Sequence, residues 1–342
     1  IDTRDRHMIS VCGDSDLAVY FGQGYANAMF RLWQLELTRR VAEGRLSEIL
    51  GPRTIAADSF QRRLSLTELA QKDWRDEPWA LQRDITTAFC DGINQAMADG
   101  FRTSLEFRIL GHTPAEFRPQ DAYLTAHLKA FINSTWKFRI LRKRLWDNLP
   151  PVRFDELFTF GSRQHGRPEQ VFAGEEALYD LGLSGPDVGS NVFVVDGRWT
   201  QSGFPLVACD PHMGHVNPNF NLMFSLQSKE ALNCMGASFP GLPGITMGRN
   251  RDIAWGFAGI MADNQEFYSA PIDMKTRQVE VRGKWCGLSS REEVLKIRGA
   301  QAERFICHRY DRYRLIDESD GRGTFMYWPP IDFGVGDIVL RH

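Results

Sequence analysis

The spacing of apolar residues changes once along the chain, near residue 165, and that change limits the folds open to it. Before it the period is helical. Ser15 is a candidate N-cap. After it, apolar residues recur at Leu17, Tyr20, Phe21, Tyr25, Ala28, Leu32 and Leu35, one face of an α-helix. Gly51-Pro52 stops that region. A second helix is expected through Ile85, Phe89, Ile93 and Met97, closing at Gly100. A third follows Pro119-Gln120-Asp121, through Leu124, Leu128 and Phe131. Its far end, with Lys137, Arg139, Arg142, Lys143 and Arg144, reads as a solvated face. The stretch RPEQVFAGEEALYDLGLSGPDVG is acidic and Gly-rich and reads as a linker. Beyond it the texture is β. NVFVVDG and FPLVACD flank a polar loop over 198–203, a hairpin pattern. LMFSLQ, ITMGRN, QVEVRG and ERFICHRY read as further strands. Helices first and strands later point to an α+β layered fold rather than alternating βαβ units. The expected organisation is a helical region over 1–165, a spacer over 166–189 and a β-rich region over 190–342.

Composition narrows the partners. A chain of 342 residues, 43% apolar and 25% charged, can bury a large core, and its length suggests about two domains. A formal net charge of −2 gives no case for a nucleic-acid or anionic-membrane partner. No apolar run approaches the roughly 20 residues that span a bilayer. The six cysteines (Cys12, Cys90, Cys209, Cys234, Cys286, Cys307) form no CxxC pair. They fit neither a zinc site nor a small disulfide scaffold, and they do not decide the redox compartment. The first residue is Ile1 and no signal peptide follows, so the true start is expected to lie upstream.

Few motifs carry chemistry. A hydrolase elbow needs G-x-S-x-G, and the nearest string, Gly236-Ala237-Ser238-Phe239-Pro240, has Pro where the last Gly belongs. There is no phosphate-binding P-loop and no G-x-G-x-x-G. His212 and His215, three apart and near Asp210, could hold a metal, but no third ligand is evident. The stretch GPDVGSNVFVVDG is more telling. A loop of Gly, Pro and Asp opens through Gly189-Ser190-Asn191 directly onto an apolar run, Val192 to Val195, expected as a buried strand. It is either an ordinary turn before a strand or a peptide bond meant to be cut. Cutting would leave Ser190 as a new N-terminus. A hydroxyl there can be activated by its own α-amine, whose reference pKa near 7.7–8.0 leaves much of it neutral at working pH. A rigid strand would hold the serine and supply backbone N–H donors for an oxyanion.

Longer strings bear on that choice. GYANAMFRLWQLELTRRVAEGRLSEILG, DGINQAM, LEFRILGHTPAEFRPQD, GSNVFVVDGRWTQSGFPLVACDPHMG and GASFPGLPGITMGRNRDIAWG occur in order along nearly the whole chain. Together they resemble landmarks of the penicillin acylase (penicillin amidase) family of N-terminal nucleophile hydrolases, which includes N-acyl-homoserine-lactone acylases. The resemblance implies a four-layer αββα sandwich with a mostly helical α-chain wrapped around it. It also implies self-cleavage at Gly189–Ser190, with α- and β-chains of one precursor forming a heterodimer, and a periplasmic or secreted location. The family is roughly twice this long.

The roles that the resemblance implies attach to particular residues. Ser190 would be the nucleophile. Gly259, four residues past Trp255, would donate its backbone N–H to the oxyanion. His212 would position substrate, partly through its backbone, and Asn191 would brace the nucleophile end of the strand. A downstream Asn supplies the family's second oxyanion donor, and no residue here matches it. Phe131, Met213 and Met247 fall at pocket positions, with Trp136 and Phe138 on the same helix as Phe131. Each of these is also an ordinary core residue type. Catalysis requires no cofactor. For the structural calcium that the family often binds, Asp263, Glu266 and the Gln265 carbonyl match ligand positions, whereas the α-chain glutamate ligand would fall in the basic stretch 136–139. The expected activity is amide hydrolysis of a small N-acyl compound, a β-lactam side chain or an N-acyl-homoserine lactone. The alternative is a non-catalytic homologue or binding module that keeps the fold.

Overall fold

In the computed structural model, residues 1–5, 7–101, 104–134, 142, 145–146, 148–157, 189–212, 217–259 and 264–335 are described. A short strand, β1 (Ile9–Gly13), leads into the long helix α1 (Asp16–Glu43). Ser15 caps it as expected: its Oγ accepts the Ala18 N–H at 3.2 Å. Gly44, in the left-handed region, ends it. Then come α2 (Ser47–Leu50), α3 (Ile55–Leu64), α4 (Leu66–Asp76), α5 (Ala80–Ala98), α6 (Leu105–Leu110), α7 (Pro119–Ile132) and α8 (Pro151–Leu157). The basic run after α7 and the expected spacer lie outside the described residues, apart from Arg142 and Gly189.

Helices α1 and α5 cross where each has a glycine. A methyl group built on Gly24 would lie 1.9 Å from the Phe89 carbonyl oxygen, and one on Gly92 would lie 1.9 Å from that of Phe21. Backbone meets backbone there, and Ala28, Leu32, Phe89, Ile93 and Met97 pack around the crossing. Helix α1 is therefore buried on more than its apolar stripe. Gln23 and Asn27, which periodicity alone would place in water, are fully buried. Gln23 Nε2 donates to the Gly244 carbonyl at 2.8 Å, and the Gly244 N–H returns to Gln23 Oε1 at 2.9 Å. Asn27 Oδ1 accepts the Gly241 N–H at 3.2 Å.

Those two amides tie α1 to a loop of the second half. The five-stranded sheet has the order β1-β4-β5-β6-β7, with β4 Leu222–Ser228, β5 Asn233–Ser238, β6 Met247–Arg249 and β7 Ala254–Trp255. Strand β1 runs parallel to β4, so the first half contributes a strand to a sheet otherwise built by the second. At the head of α1, Asp16 accepts hydrogen bonds from Ser228 Oγ (2.5 Å) and the Leu232 N–H (2.9 Å). The seven-stranded antiparallel sheet has the order β10-β9-β8-β14-β13-β12-β11. Its strands are β8 Glu266–Asp273, β9 Gln278–Val281, β10 Lys284–Gly287, β11 Ser289–Leu295, β12 Glu303–Tyr310, β13 Tyr313–Ser319 and β14 Arg322–Tyr327. Helices α3, α4 and α7 cover it. Phe60, Leu69, Leu124 and Phe131 close a core with Ile316, Met326 and Trp328. A final turn, α9 (Pro330–Phe333), follows.

The chain is thus α+β, with helices preceding most of the strands. The expected hairpin forms, β2 (Gly189–Val195) against β3 (Leu206–His212), as its own two-stranded sheet. One expectation about it is overturned: the strand is not buried. Phe193 is 61% exposed and Val194 70%. Among the described residues the hairpin joins neither larger sheet, and Val192 and Cys209 on one of its faces are partly covered. Helices α3 and α4 and strands β5, β8, β10, β11, β13 and β14 were not expected from sequence. No described helix is long and apolar enough to cross a membrane.

Candidate active site

The hairpin register builds the site. Gly189 lies opposite His212, Ser190 opposite Pro211 and Asn191 opposite Asp210. Pro211 can offer no ladder N–H, which a strand with an open edge tolerates. The His212 ring sits over Gly189, where a methyl group would be 3.1 Å from Nδ1. Its Nε2 lies 3.0 Å from Asp210 Oδ2 and 3.1 Å from Asn191 Nδ2. One nitrogen cannot donate to the carboxylate and accept from the amide at once, so the two contacts compete and the tautomer decides. Either way the imidazole is engaged with Asp210 and Asn191. Among the described residues no hydrogen bond links it to Ser190 Oγ, so the pair is not arranged as a serine–histidine couple.

What does reach the serine hydroxyl is a backbone amide. The Gly259 N–H donates to Ser190 Oγ at 3.2 Å. The segment carrying Gly259 is held from two sides. Trp255 Nε1 donates to the Ile245 carbonyl at 3.1 Å, fixing β7. Beyond it the chain passes against β3, where Cys209 Sγ lies 3.7 Å from the Phe257 carbonyl oxygen and 3.5 Å from Met247 Sδ. Gly256 permits this approach, since a methyl group there would be 2.8 Å from both Cys209 Cβ and Sγ. The β5–β6 loop, whose Ile245 carbonyl takes the Trp255 N–H, is itself held by Gln23 and Asn27 of α1, so the first half of the chain braces the segment that leads to Gly259.

The structure therefore brings Ser190, Gly259, Asn191 and His212 together. It adds Asp210, Cys209 and Gly256, which sequence reading had not given a part in this site. The signal for Asp210 was the strand register, which places it across from Asn191. Met247 is nearly buried and reaches the underside of the hairpin through Cys209. The Phe131 ring is fully buried against Phe60 and Trp328, where it packs in the core among the described residues. Met213, His215, Trp136, Phe138 and Asp263 lie outside the described residues.

The penicillin amidase family model matches residues 2–329. The chain belongs to the penicillin amidase family. Its curated relatives include the acyl-homoserine lactone acylase QuiP of Pseudomonas aeruginosa, 28% identical over 92% of this chain and 40% of that protein. The penicillin acylase 2 proenzyme of a Pseudomonas species is 26% identical over 87% of this chain and 40% of that protein. Penicillin G acylase of Escherichia coli is 22% identical, over 85% and 42%. The chain thus spans about two fifths of the length of the curated relatives it matches. A solved thermostable penicillin G acylase from Alcaligenes faecalis aligns with a TM-score of 0.35 at 22% identity, covering 47% of this chain and 89% of that one.

The calcium site that this family membership suggests is not assembled by the described residues. Of its three matched positions Asp263 is outside them. The exposed Glu266 carboxylate takes a hydrogen bond from the Tyr268 hydroxyl, and Gln265 is nearly buried at the start of β8. Among the described residues no group of three or more His, Cys, Asp or Glu side chains is arranged to hold a metal ion. A hard cation wants six to eight oxygen ligands, and the described residues alone do not supply that number.

Proposed function

We propose that the protein to which this chain belongs hydrolyses the amide of a small N-acyl compound through an acyl-enzyme on Ser190. The observation that carries this reading is the Gly259 N–H on Ser190 Oγ. An oxyanion formed by attack of that oxygen stands one carbon away from it, within reach of the same donor. In the continuous chain the first target is the Gly189 carbonyl. Ser190 Oγ attacks it, the C–N bond to Ser190 breaks as the acyl group moves to oxygen, and water hydrolyses the ester. The products are a Gly189 carboxylate and a free Ser190 α-amine. That amine then takes the hydroxyl proton when Oγ attacks a substrate amide, and delivers it to the departing amine. Water completes the cycle. The relatives' names support both an N-acyl-homoserine lactone and a penicillin-type side chain as substrate. On this reading the sheets belong to an αββα sandwich completed by further chain, the two products of cleavage stay together as a heterodimer, and the enzyme works in the periplasm or outside the cell.

Expression of the full-length protein followed by N-terminal sequencing tests the reading. One fragment is expected to begin Ser-Asn-Val-Phe. Any other new N-terminus would remove Ser190 from the role of nucleophile.

The hydrogen bonds of His212 make a second expectation. Its ring is held by Asp210 and Asn191 rather than by the serine, so it positions groups and does not accept the serine proton. His212→Gln is expected to be cut normally and to keep turnover within about tenfold to a hundredfold of the parent. A loss as complete as that from removing the serine hydroxyl, with cleavage intact, would make His212 the base.

A further inference from the structure

Three arginines stand on one face of the seven-stranded sheet. Ser289 of β11 lies opposite Arg309 of β12, and Arg309 lies opposite Arg314 of β13. Residues two apart on a strand share a face, so Arg291 joins them. Like charges directly across a strand pair repel, and a sheet built for stability alone would avoid the arrangement. Helices α3 and α4 lie over this face and leave a cavity of about 500 Å³ between helices and sheet. A second cavity of about 370 Å³ adjoins it, and Arg309 and Arg314 line both.

The acids nearby are already engaged. Glu68 of α4 takes Arg309 at 2.7 Å and Arg291 at 3.4 Å. Glu293 takes Arg291 at 2.8 Å and Arg62 at 2.5 Å. Asp332 takes Arg312 at 2.7 Å and accepts from the Tyr327 hydroxyl at 3.0 Å. Arg314 is left over. It is only 4% exposed, its Nε is buried without an acceptor, and no ion pair or hydrogen bond holds its guanidinium among the described residues. Burial pulls its pKa below the ordinary arginine value, but an arginine stays charged in a protein. Six arginines line the larger cavity against three glutamates. The carboxylates whose field reaches it, Glu68 and Asp332, are already paired with other arginines, and an anion supplied from outside would give it a direct partner.

We propose that these adjoining cavities bind a multiply charged oxyanion, an organic phosphate or a polycarboxylate, with Arg314 as the buried anchor and Arg309 on the wall between them. The guanidinium fork suits both groups, because two parallel N–H donors match two oxygens of a carboxylate or phosphate. The space exceeds that of a single inorganic ion and matches a small organic molecule.

Isothermal titration and thermal melting of the full-length protein test this. Inorganic phosphate and citrate serve as probes, each against sodium chloride at equal ionic strength. At least one probe is expected to give saturable heat and a raised melting temperature, where chloride gives neither. Phosphate alone would assign the phosphate class, and citrate alone the polycarboxylate class. Arg314→Gln is expected to weaken binding about tenfold or more, and Arg314→Lys, which keeps the charge but not the fork, to weaken it less. If Arg314→Gln does not fold, Arg309→Gln replaces it. Arg309 is 43% exposed along its side chain, and its loss is expected to weaken binding about fivefold. No heat with either probe, or an equal shift from chloride, overturns the proposal. Undiminished affinity in the arginine variants does so as well.

Discussion

Ser190→Ala is expected to leave the full-length protein as one uncut polypeptide and to lower its turnover on an N-acyl substrate on the order of 10⁶-fold, the scale seen when a hydrolase loses its serine nucleophile. Both effects come from one atom. Ser190 Oγ is the only oxygen that the Gly259 N–H meets at this strand end among the described residues, and without it neither the Gly189 carbonyl nor a substrate carbonyl has an attacking group. The fold should barely change. The lost hydrogen bond is worth about 1 kcal/mol, and the exposed Gly259 N–H can turn to water instead. Mass spectrometry reads the cleavage, a chromogenic amide assay reads turnover, and a melting curve shows that the variant is folded. Ser190→Cys separates the two steps, since a thiolate can still drive the acyl shift while hydrolysing substrate poorly. A cut Ser190→Ala protein would sink the scheme.

The second large effect concerns stability and runs against ordinary helix propensity. Replacing a mid-helix glycine by alanine normally stabilises by about 1 kcal/mol. At Gly92 or Gly24 the sign is expected to invert. The added methyl would sit 1.9 Å from a carbonyl oxygen of the opposing helix, and backbone cannot rotate away as a side chain does. The helices must separate, which loosens Phe89, Ile93 and Leu32 at their crossing. A loss of about 3 kcal/mol or more is expected for Gly92→Ala. Gly287→Ala is the control, because nothing lies within 4 Å of a methyl group there. It should change stability by less than about 0.5 kcal/mol. Chemical denaturation of the three proteins measures this, and equal midpoints would show that the crossing is not under steric constraint.

Some of this architecture was legible before any coordinates. The Ser15 cap, the apolar period of α1, α5 and α7, and the β2–β3 hairpin follow from local rules, and the structure bears them out. Helices α3 and α4 were missed because Gly51-Pro52 reads as the end of a helical region, whereas here Pro52 opens a short turn that leads straight into α3. Strand β11, SSREEVL, carries too many charges to look like a strand. It lies at the end of its sheet, where such residues can project into a cavity or water. At the site, Ser190 and Gly259 were legible as sequence positions, but the hydrogen bond between them was not. That contact depends on Gly256 passing close to Cys209 and on two buried amides of α1 gripping a loop more than two hundred residues away. Gln23 and Asn27 look like surface residues because their partners are backbone groups of a distant segment, which no local pattern records.

That grip, with β1 inserted beside β4, changes the molecularity of refolding once the chain is cut. While continuous, residues 9–13 and 222–228 find each other as parts of one polymer, and refolding is first order in protein. After a break at Gly189 the same pairing is an encounter between two molecules. The pieces lose nothing while assembled, since every contact of β1, Asp16, Gln23 and Asn27 remains. Dissociated by denaturant, they must meet again at whatever concentration they have been diluted to, with part of a sheet missing from one and a solitary strand on the other. Cleavage would then act as a ratchet on the folded state. The uncut Ser190→Ala chain should recover its structure at a rate independent of dilution, whereas recovery of the cut protein should slow in proportion to dilution.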